Sequence, residues 1–451
     1  MKWVRPVASI VMITFGGSAI SMEPSPVKEN RPAEVRLALA PDPAVGAASA
    51  EEPRSAGSVP AAVEPVLAPD PAVEAALKGL GGDRIVKLPP ARVIGDFNDI
   101  ARKYGLDKNG PGIRDYCMKM PWADDRKRAF YCGGNHGVPH GLNDIWEYDL
   151  PSNTWNLLWA PEDFTRKSWG KWEDAIVKDG ILQSKRGATV QASHAWDQLT
   201  YDPEIGALIW LTAWNFYDLL PKDVSEQLKK ENRHPVPLWG YYPGKNVWKP
   251  LGIGQSPMAA NNASLLCYVP ELHGTIYYGK WDYKTFLWDN RTDKWSLFCA
   301  KPAAGQGPGD EMISCYDAKH KVVVAVCSSA KGGGTYHFDP VTKSWAQTVA
   351  WEAGKIPAAL DSYAVMGCDP ASGSCLLFTN DKETFGFWAY EPGEKHWKKL
   401  VPEGDMPAPD DRRGYTGYFD PARSVFVLFR NANREVWAYR YKRATQSGDS
   451  K

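Results

Sequence analysis

The sequence predicts an all-β fold in which a four-stranded antiparallel unit is repeated six times and closed into a ring. Three observations carry that prediction. An aromatic residue and a Trp stand seven apart around a turn at five places: Tyr148 with Trp155, Tyr241 with Trp248, Trp288 with Trp295, Phe338 with Trp345, and Tyr390 with Trp397. Upstream of each pair lie two short apolar runs, many of them divided by a turn such as YDPEIGA, YDAKHKV, CDPASGS or FDPARSV. Each unit therefore supplies four strands, a to d, joined by hairpins. The composition agrees, because 20 Trp and 20 Tyr beside 9 Met, with 40 Gly and 36 Pro, favour short strands and turns over long helices.

The N-terminal part of the chain is different. Lys2 and Arg5 precede an apolar stretch from Pro6 to Ile20 and small residues that allow cleavage after Ala19 or Ser21. Residues 1–21 thus read as a secretory signal peptide, and the protein is expected to be secreted or periplasmic. The stretch is short of the about 20 apolar residues that a span requires, so no stable membrane span is expected after cleavage. Residues 22–79 are rich in Pro, Ala and Glu, nearly lack aromatics, and contain LAPDPAV twice, at 39–45 and 67–73. Such a stretch buries too little apolar surface to offset its ordering entropy and reads as a disordered tether. Within it Asp70 and Pro71 suit the start of one short helix, PAVEAALKG. Residues 80–443 are assigned to the ring and 444–451 to a tail.

A four-stranded unit of about 40 to 50 residues repeated around an axis is the signature of a β-propeller. The segments YCGG (131–134), NDIWEYD and NTWNLL resemble the kelch repeat, in which a Gly pair ends strand b, a Tyr sits in strand c and a Trp opens strand d. The resemblance spans roughly residues 83–442. The sixth unit, RRGYTGYFDPARSVFVLFRNANREVWAYRYK, keeps Tyr439 but has Gln446 where the offset calls for Trp. Its strand d is missing, and RIVKL at 84–88 aligns with HWKKL at 396–400. We therefore expect six blades, with the last completed from the N-terminal side, which removes an open sheet edge. Seven blades would need another repeat, and residues 160–190 lack one.

Eight Cys in an apparently exported chain permit disulfides. Cys368 and Cys375 face each other across the GCDPASGSC hairpin and form the best-placed pair. Cys117 and Cys132, on strands a and b of blade one, are a second, diagonal pair, for which buried free thiols are the competing reading.

Strand a lines the central channel of such a ring. The six a strands align on Trp122, Tyr201, Tyr268, Tyr316, Cys368 and Phe419, each placed just before the a-to-b turn. Seven residues earlier stand Asp115, His194, Asn261, Gly309, Asp361 and Arg412, followed by Asp310, Glu311 and Arg413. This polar ring, on the face of the d-to-a and b-to-c loops, is the expected binding surface, together with His136 and His140 of GGNHGVPHGLND. Two long insertions decorate the same face and carry Trp169, Trp172 and Trp214, which suit stacking on sugar rings. His136, His140 and His194 are weak candidates for a metal site, because Pro139 prevents a helical presentation, and no cofactor is predicted. Asp361, Glu311, Arg412 and His194 are the candidates for acid–base work.

Zero formal net charge gives no support for binding nucleic acid. No P-loop, dinucleotide fingerprint or nucleophile elbow is present. The resemblance to kelch-like propellers implies either a binding module for protein or polysaccharide, or a carbohydrate-active enzyme of the sugar-isomerase or oxidase kind. The binding module is the primary expectation.

Overall fold

The computed structural model describes residues 67–441, apart from several stretches, chiefly 135–141, 163–174, most of 213–237, 254–263, 358–363 and 410–413. Six sheets form a six-bladed β-propeller. Blade two runs Leu199–Asp202, Ala207–Leu211, Leu238–Tyr242 and Val247–Leu251 as strands a to d. Blades three, four and five repeat the same meander from Leu265, Met312 and Val365.

The offset of seven has a simple geometric origin. Each aromatic on strand c is the direct cross-strand partner of the Trp on strand d: Tyr148 with Trp155, Tyr241 with Trp248, Trp288 with Trp295, Phe338 with Trp345, and Tyr390 with Trp397. The turn between them ends in a residue of left-handed conformation two positions before the Trp, namely Asn153, Asn246, Asp293, Lys343 and Lys395. A turn closed by one such residue fits the twist of the flanking strands. In blades one and two the Tyr hydroxyl lies against this Asn, with Tyr148 to Asn153 at 2.6 Å and Tyr241 to Asn246 at 2.9 Å. The d-strand Trp side chains are at most 7% exposed and reach across to the preceding blade. Trp345 donates to Thr285, Trp397 to Thr335, and Trp155 to the Asn433 carbonyl.

Blade six obeys the same rules without a covalent c-to-d turn. Arg84–Lys87 pairs antiparallel with Val436–Arg440, and Ile85 stands opposite Tyr439, at the place the Trp holds in the other blades. Asp83, two residues earlier, is left-handed, and its carboxylate accepts the Tyr439 hydroxyl at 2.9 Å. The N-terminal segment thus reproduces the aromatic–Asx pairing of a hairpin from a distance of more than 350 residues. Glu403–Gly404 adds a parallel strand outside it, where a Cβ on Gly404 would collide with the Ile85 carbonyl.

Three features sharpen the sequence reading. Pro71–Gly79, the short helix expected at the end of the tether, packs Val73 and Leu77 into the core of blades one and six, with the Asp70 side chain capping Ala72 N–H at 2.9 Å. Two buried aliphatic side chains are enough to hold so short a helix on a preformed apolar surface. Arg92–Gly95 forms a fifth, parallel strand outside blade one. Cys117 and Cys132 are buried thiols not joined by a disulfide, which decides between the two readings, while a disulfide joins Cys368 to Cys375 as expected. The Gly pair has a packing reason, because Gly133 is left-handed and a Cβ there would meet Cys117 Sγ.

Candidate functional site

The a strands are shared by every blade, so their side chains decide what the centre of the ring looks like. A cavity of about 540 Å³ opens there at the end formed by the a-to-b turns. Its wall contains all six residues on which the a strands align: Trp122, Tyr201, Tyr268, Tyr316, Cys368 and Phe419. Two residues further on, just past the strand ends, a rim layer follows: Asp124, Pro203, Pro270, Ala318, Pro370 and Pro421. The six-fold repeat builds the pit in two layers.

The layers are not uniform around the ring. In blades two, three and four the wall residue is Tyr, and each hydroxyl donates to a carboxylate in the a-to-b turn of the preceding blade. Tyr201 reaches Asp125 at 2.8 Å, Tyr268 reaches Glu204 at 2.9 Å, and Tyr316 reaches Glu271. Burial and the adjoining carboxylates push all three phenols far above their ordinary range, so they remain donors at any physiological pH. Burial alone would raise the Glu204 carboxyl, but bonds from Tyr268, His273 and Asn290 hold it below its usual value. In blades five, six and one the wall is Cys368, Phe419 and Trp122, with Trp122 stacked on Tyr418 at 5.7 Å. One side of the pit is thus lined by phenols hydrogen-bonded to carboxylates of the a-to-b turns, and the other is mainly apolar.

The floor is a knot of charge. Lys119 lies in blade one, Asp197 in blade two and Ser314 in blade four, and they meet at the axis. The Lys119 ammonium is 3.1 Å from Asp197 Oδ1 and donates to the Leu266 carbonyl of blade three at 2.8 Å. Ser314 donates to Asp197 through its N–H at 3.0 Å and through its hydroxyl. Burial raises the Asp197 carboxyl to about 6, against the opposing charge of Lys119 and the Ser314 bonds. Below the knot, among the described residues, a void of about 10 Å³ lies between Met118, Trp196, Ile313 and Val365.

Of the residues singled out from the sequence, His194 is described. It is buried and packs edge-on against Tyr116 at 5.1 Å and Trp196 at 4.8 Å. Asp115, His136, His140, Asn261, Asp310, Glu311, Asp361, Arg412, Arg413, Trp169, Trp172 and Trp214 lie outside the described residues. The signal of the pit was present in the sequence all the same, since the six residues that set the register of the a strands are themselves its wall. Among the described residues, one group of soft ligands stands close enough to hold a metal ion: Cys315, Cys368 and Cys375.

No family model matches the chain, and no curated protein matches it. Solved structures match in fold. An auxiliary nutrient binding protein from Bacteroides ovatus is 7% identical, with a TM-score of 0.44 over 79% of this chain and 76% of that one. An auxiliary nutrient binding protein from Bacteroides thetaiotaomicron is 12% identical, with a TM-score of 0.46 over the same shares. A GH74 enzyme from Niastella koreensis is 11% identical, with a TM-score of 0.38 over 71% of this chain and 52% of that one. Among the described residues no helix is long and apolar enough to cross a membrane.

Proposed function

We propose that this propeller is an exported binding module that takes a small neutral carbohydrate, or the end of a polysaccharide, in the central pit. The observation that carries the reading is the two-sided wall: Trp122 and Phe419 offer a flat apolar surface on one side, and Tyr201, Tyr268 and Tyr316 with their carboxylates offer hydrogen-bonding groups on the other. A pyranose ring has the same two-sided character, with C–H groups on its faces and hydroxyls at its edge. A volume of about 540 Å³ falls within the range of small-molecule sites, about 300–1,000 Å³. The apolar stretch behind Lys2 and Arg5 supports export, and the repeat supports kinship with kelch propellers.

The knot on the floor favours binding over catalysis. Asp197 accepts from Ser314 twice and pairs with Lys119, which also donates to Leu266, so these groups tie four blades together. Asp115, Asp361, Arg412 and the insertion tryptophans, which the repeat assigns to the d-to-a and b-to-c loops, are proposed as a second contact surface for a longer glycan or a protein.

Saturation-transfer NMR of the purified protein against a panel of neutral, acidic and amino sugars tests the reading. At least one neutral sugar is expected to receive magnetisation, and Trp122→Ala is expected to abolish the transfer while leaving the fold intact. Failure of every sugar, or a signal unchanged in Trp122→Ala, would refute it.

A further inference from the structure

Three sulfurs meet in the wall of the pit between blades four and five. Cys368 and Cys375 are bonded, and Cys315 Sγ lies 2.7 Å from Cys368 Sγ. All three sulfurs are within 4.8 Å of one another. They come from three strands: Cys315 from strand a of blade four, Cys368 from strand a of blade five, and Cys375 from strand b of blade five. Cys315 and Cys368 both line the pit, whereas Cys375 is completely buried behind it. A free thiol thus touches the accessible end of a disulfide whose other end is sealed in the core.

We propose that Cys315 is an exchanging thiol, and that the disulfide moves between Cys368–Cys375 within blade five and Cys315–Cys368 across blades four and five. The step is balanced. Cys315 loses its proton to water in the pit, and its thiolate attacks Cys368 Sγ. The Cys315–Cys368 bond forms as the Cys368–Cys375 bond breaks, and Cys375 leaves as a thiolate and takes up a proton. No external oxidant or reductant is consumed. Exchange requires a thiol beside the disulfide and a route for the proton, and the pit provides the route.

The surroundings of the thiol set its pace. Burial pushes the Cys315 thiol well above its ordinary range, Cys267, Asp317 and Asp197 push it further, and Lys119 alone pulls it down. The thiolate is therefore scarce at neutral pH, and exchange accelerates as pH rises. Its consequence falls on the pit. In one state two neighbouring a strands are joined beside Tyr316 and Met366, and in the other they are held by packing alone. This device does not depend on the identity of the ligand.

Disulfide mapping of the full chain tests the proposal, using acid quenching, alkylation and peptide analysis. In the wild type, incubation at pH 9 with a trace of small thiol is expected to produce a Cys315–Cys368 linked peptide that is scarce at pH 6. Cys375→Ser is expected to carry that link nearly quantitatively in air, and Cys315→Ser to carry only Cys368–Cys375. The proposal is overturned if Cys315 and Cys368 of folded Cys375→Ser both remain alkylatable in air. Should that variant not fold, the wild type decides alone, and a wild type with no Cys315–Cys368 peptide at pH 9 overturns the proposal. Reduced protein that retains one equivalent of cadmium on these thiols but never forms the link upon oxidation also overturns it, in favour of a metal site.

Discussion

The outer seam and the inner wall of the ring are built by the same repeat and behave in opposite ways. At the seam, an aromatic opposite Trp recurs in blades one to five with one register and one kind of turn. At the wall, the equivalent position reads Trp, Tyr, Tyr, Tyr, Cys and Phe. Packing between blades imposes the same demand six times, so the seam repeats. A ligand without six-fold symmetry imposes no such demand, and the wall is free to differ from blade to blade. Within one repeat protein, then, sameness marks scaffold and departure marks site.

The largest way to break this contrast is at ring closure. Deleting residues 84–88 leaves Tyr439 and the edge of blade six unpaired, and the account expects loss of the cooperative unfolding transition in calorimetry rather than a modest shift. A variant that still melts cooperatively near the wild-type temperature would show that the N-terminal strand only decorates the ring. The next effect is Trp397→Ala, which removes a side chain that is 5% exposed and bonded to Thr335. Denaturant titration is expected to show a loss of about 3–5 kcal/mol.

Acid sharpens the picture of the seam. His337, on strand c of blade four, is hydrogen-bonded to the Tyr390 hydroxyl of blade five at 2.9 Å. Burial, with Lys395 adding to it, lowers the imidazole to about 4. The unfolded chain therefore binds a proton that the folded chain refuses between pH 6.5 and 4, so the stability contribution is fully present above pH 6.5 and is lost as pH falls through that window. After allowance for partial exposure the loss is about 2 kcal/mol. Denaturation of wild type and His337→Gln at pH 7.5 and 4.5 checks it: the gap between the two should narrow in acid. The smallest effect belongs to the wall. Tyr268→Phe deletes one hydrogen bond to a partly exposed carboxylate, for an expected stability loss of about 1 kcal/mol.

The sequence was most legible where residues repeat. The five aromatic–Trp pairs are direct cross-strand partners, and the alignment of RIVKL with HWKKL puts Ile85 at the Trp397 position, which the structure shows opposite Tyr439. It was least legible where function depends on contacts between distant parts of the chain. Nothing local indicates that Lys119, Asp197 and Ser314 meet, because their neighbours on the a strands are ordinary apolar residues. The carboxylate partners of Tyr201, Tyr268 and Tyr316 lie 45 to 76 residues away, in turns of the preceding blade. Polarity drew attention to the mouth with Asp115, Asp361 and Arg412. The wall of the pit is mostly aromatic and reads in sequence as core. The helix Pro71–Gly79 was legible from Asp70 and Pro71, but its docking was not, since the surface that covers Val73 and Leu77 belongs to the ring and not to its own segment.

The most direct measurement is a paired titration of Trp122→Ala and Trp397→Ala against the best-binding sugar, with melting temperature recorded on the same samples. The account predicts that Trp122→Ala weakens affinity about tenfold or more, equivalent to about 1.4 kcal/mol, with little change in melting. It predicts that Trp397→Ala lowers the melting temperature by several degrees while the folded protein keeps its affinity. Equal losses of affinity in both variants, or a loss confined to Trp397→Ala, would contradict the division between wall and seam.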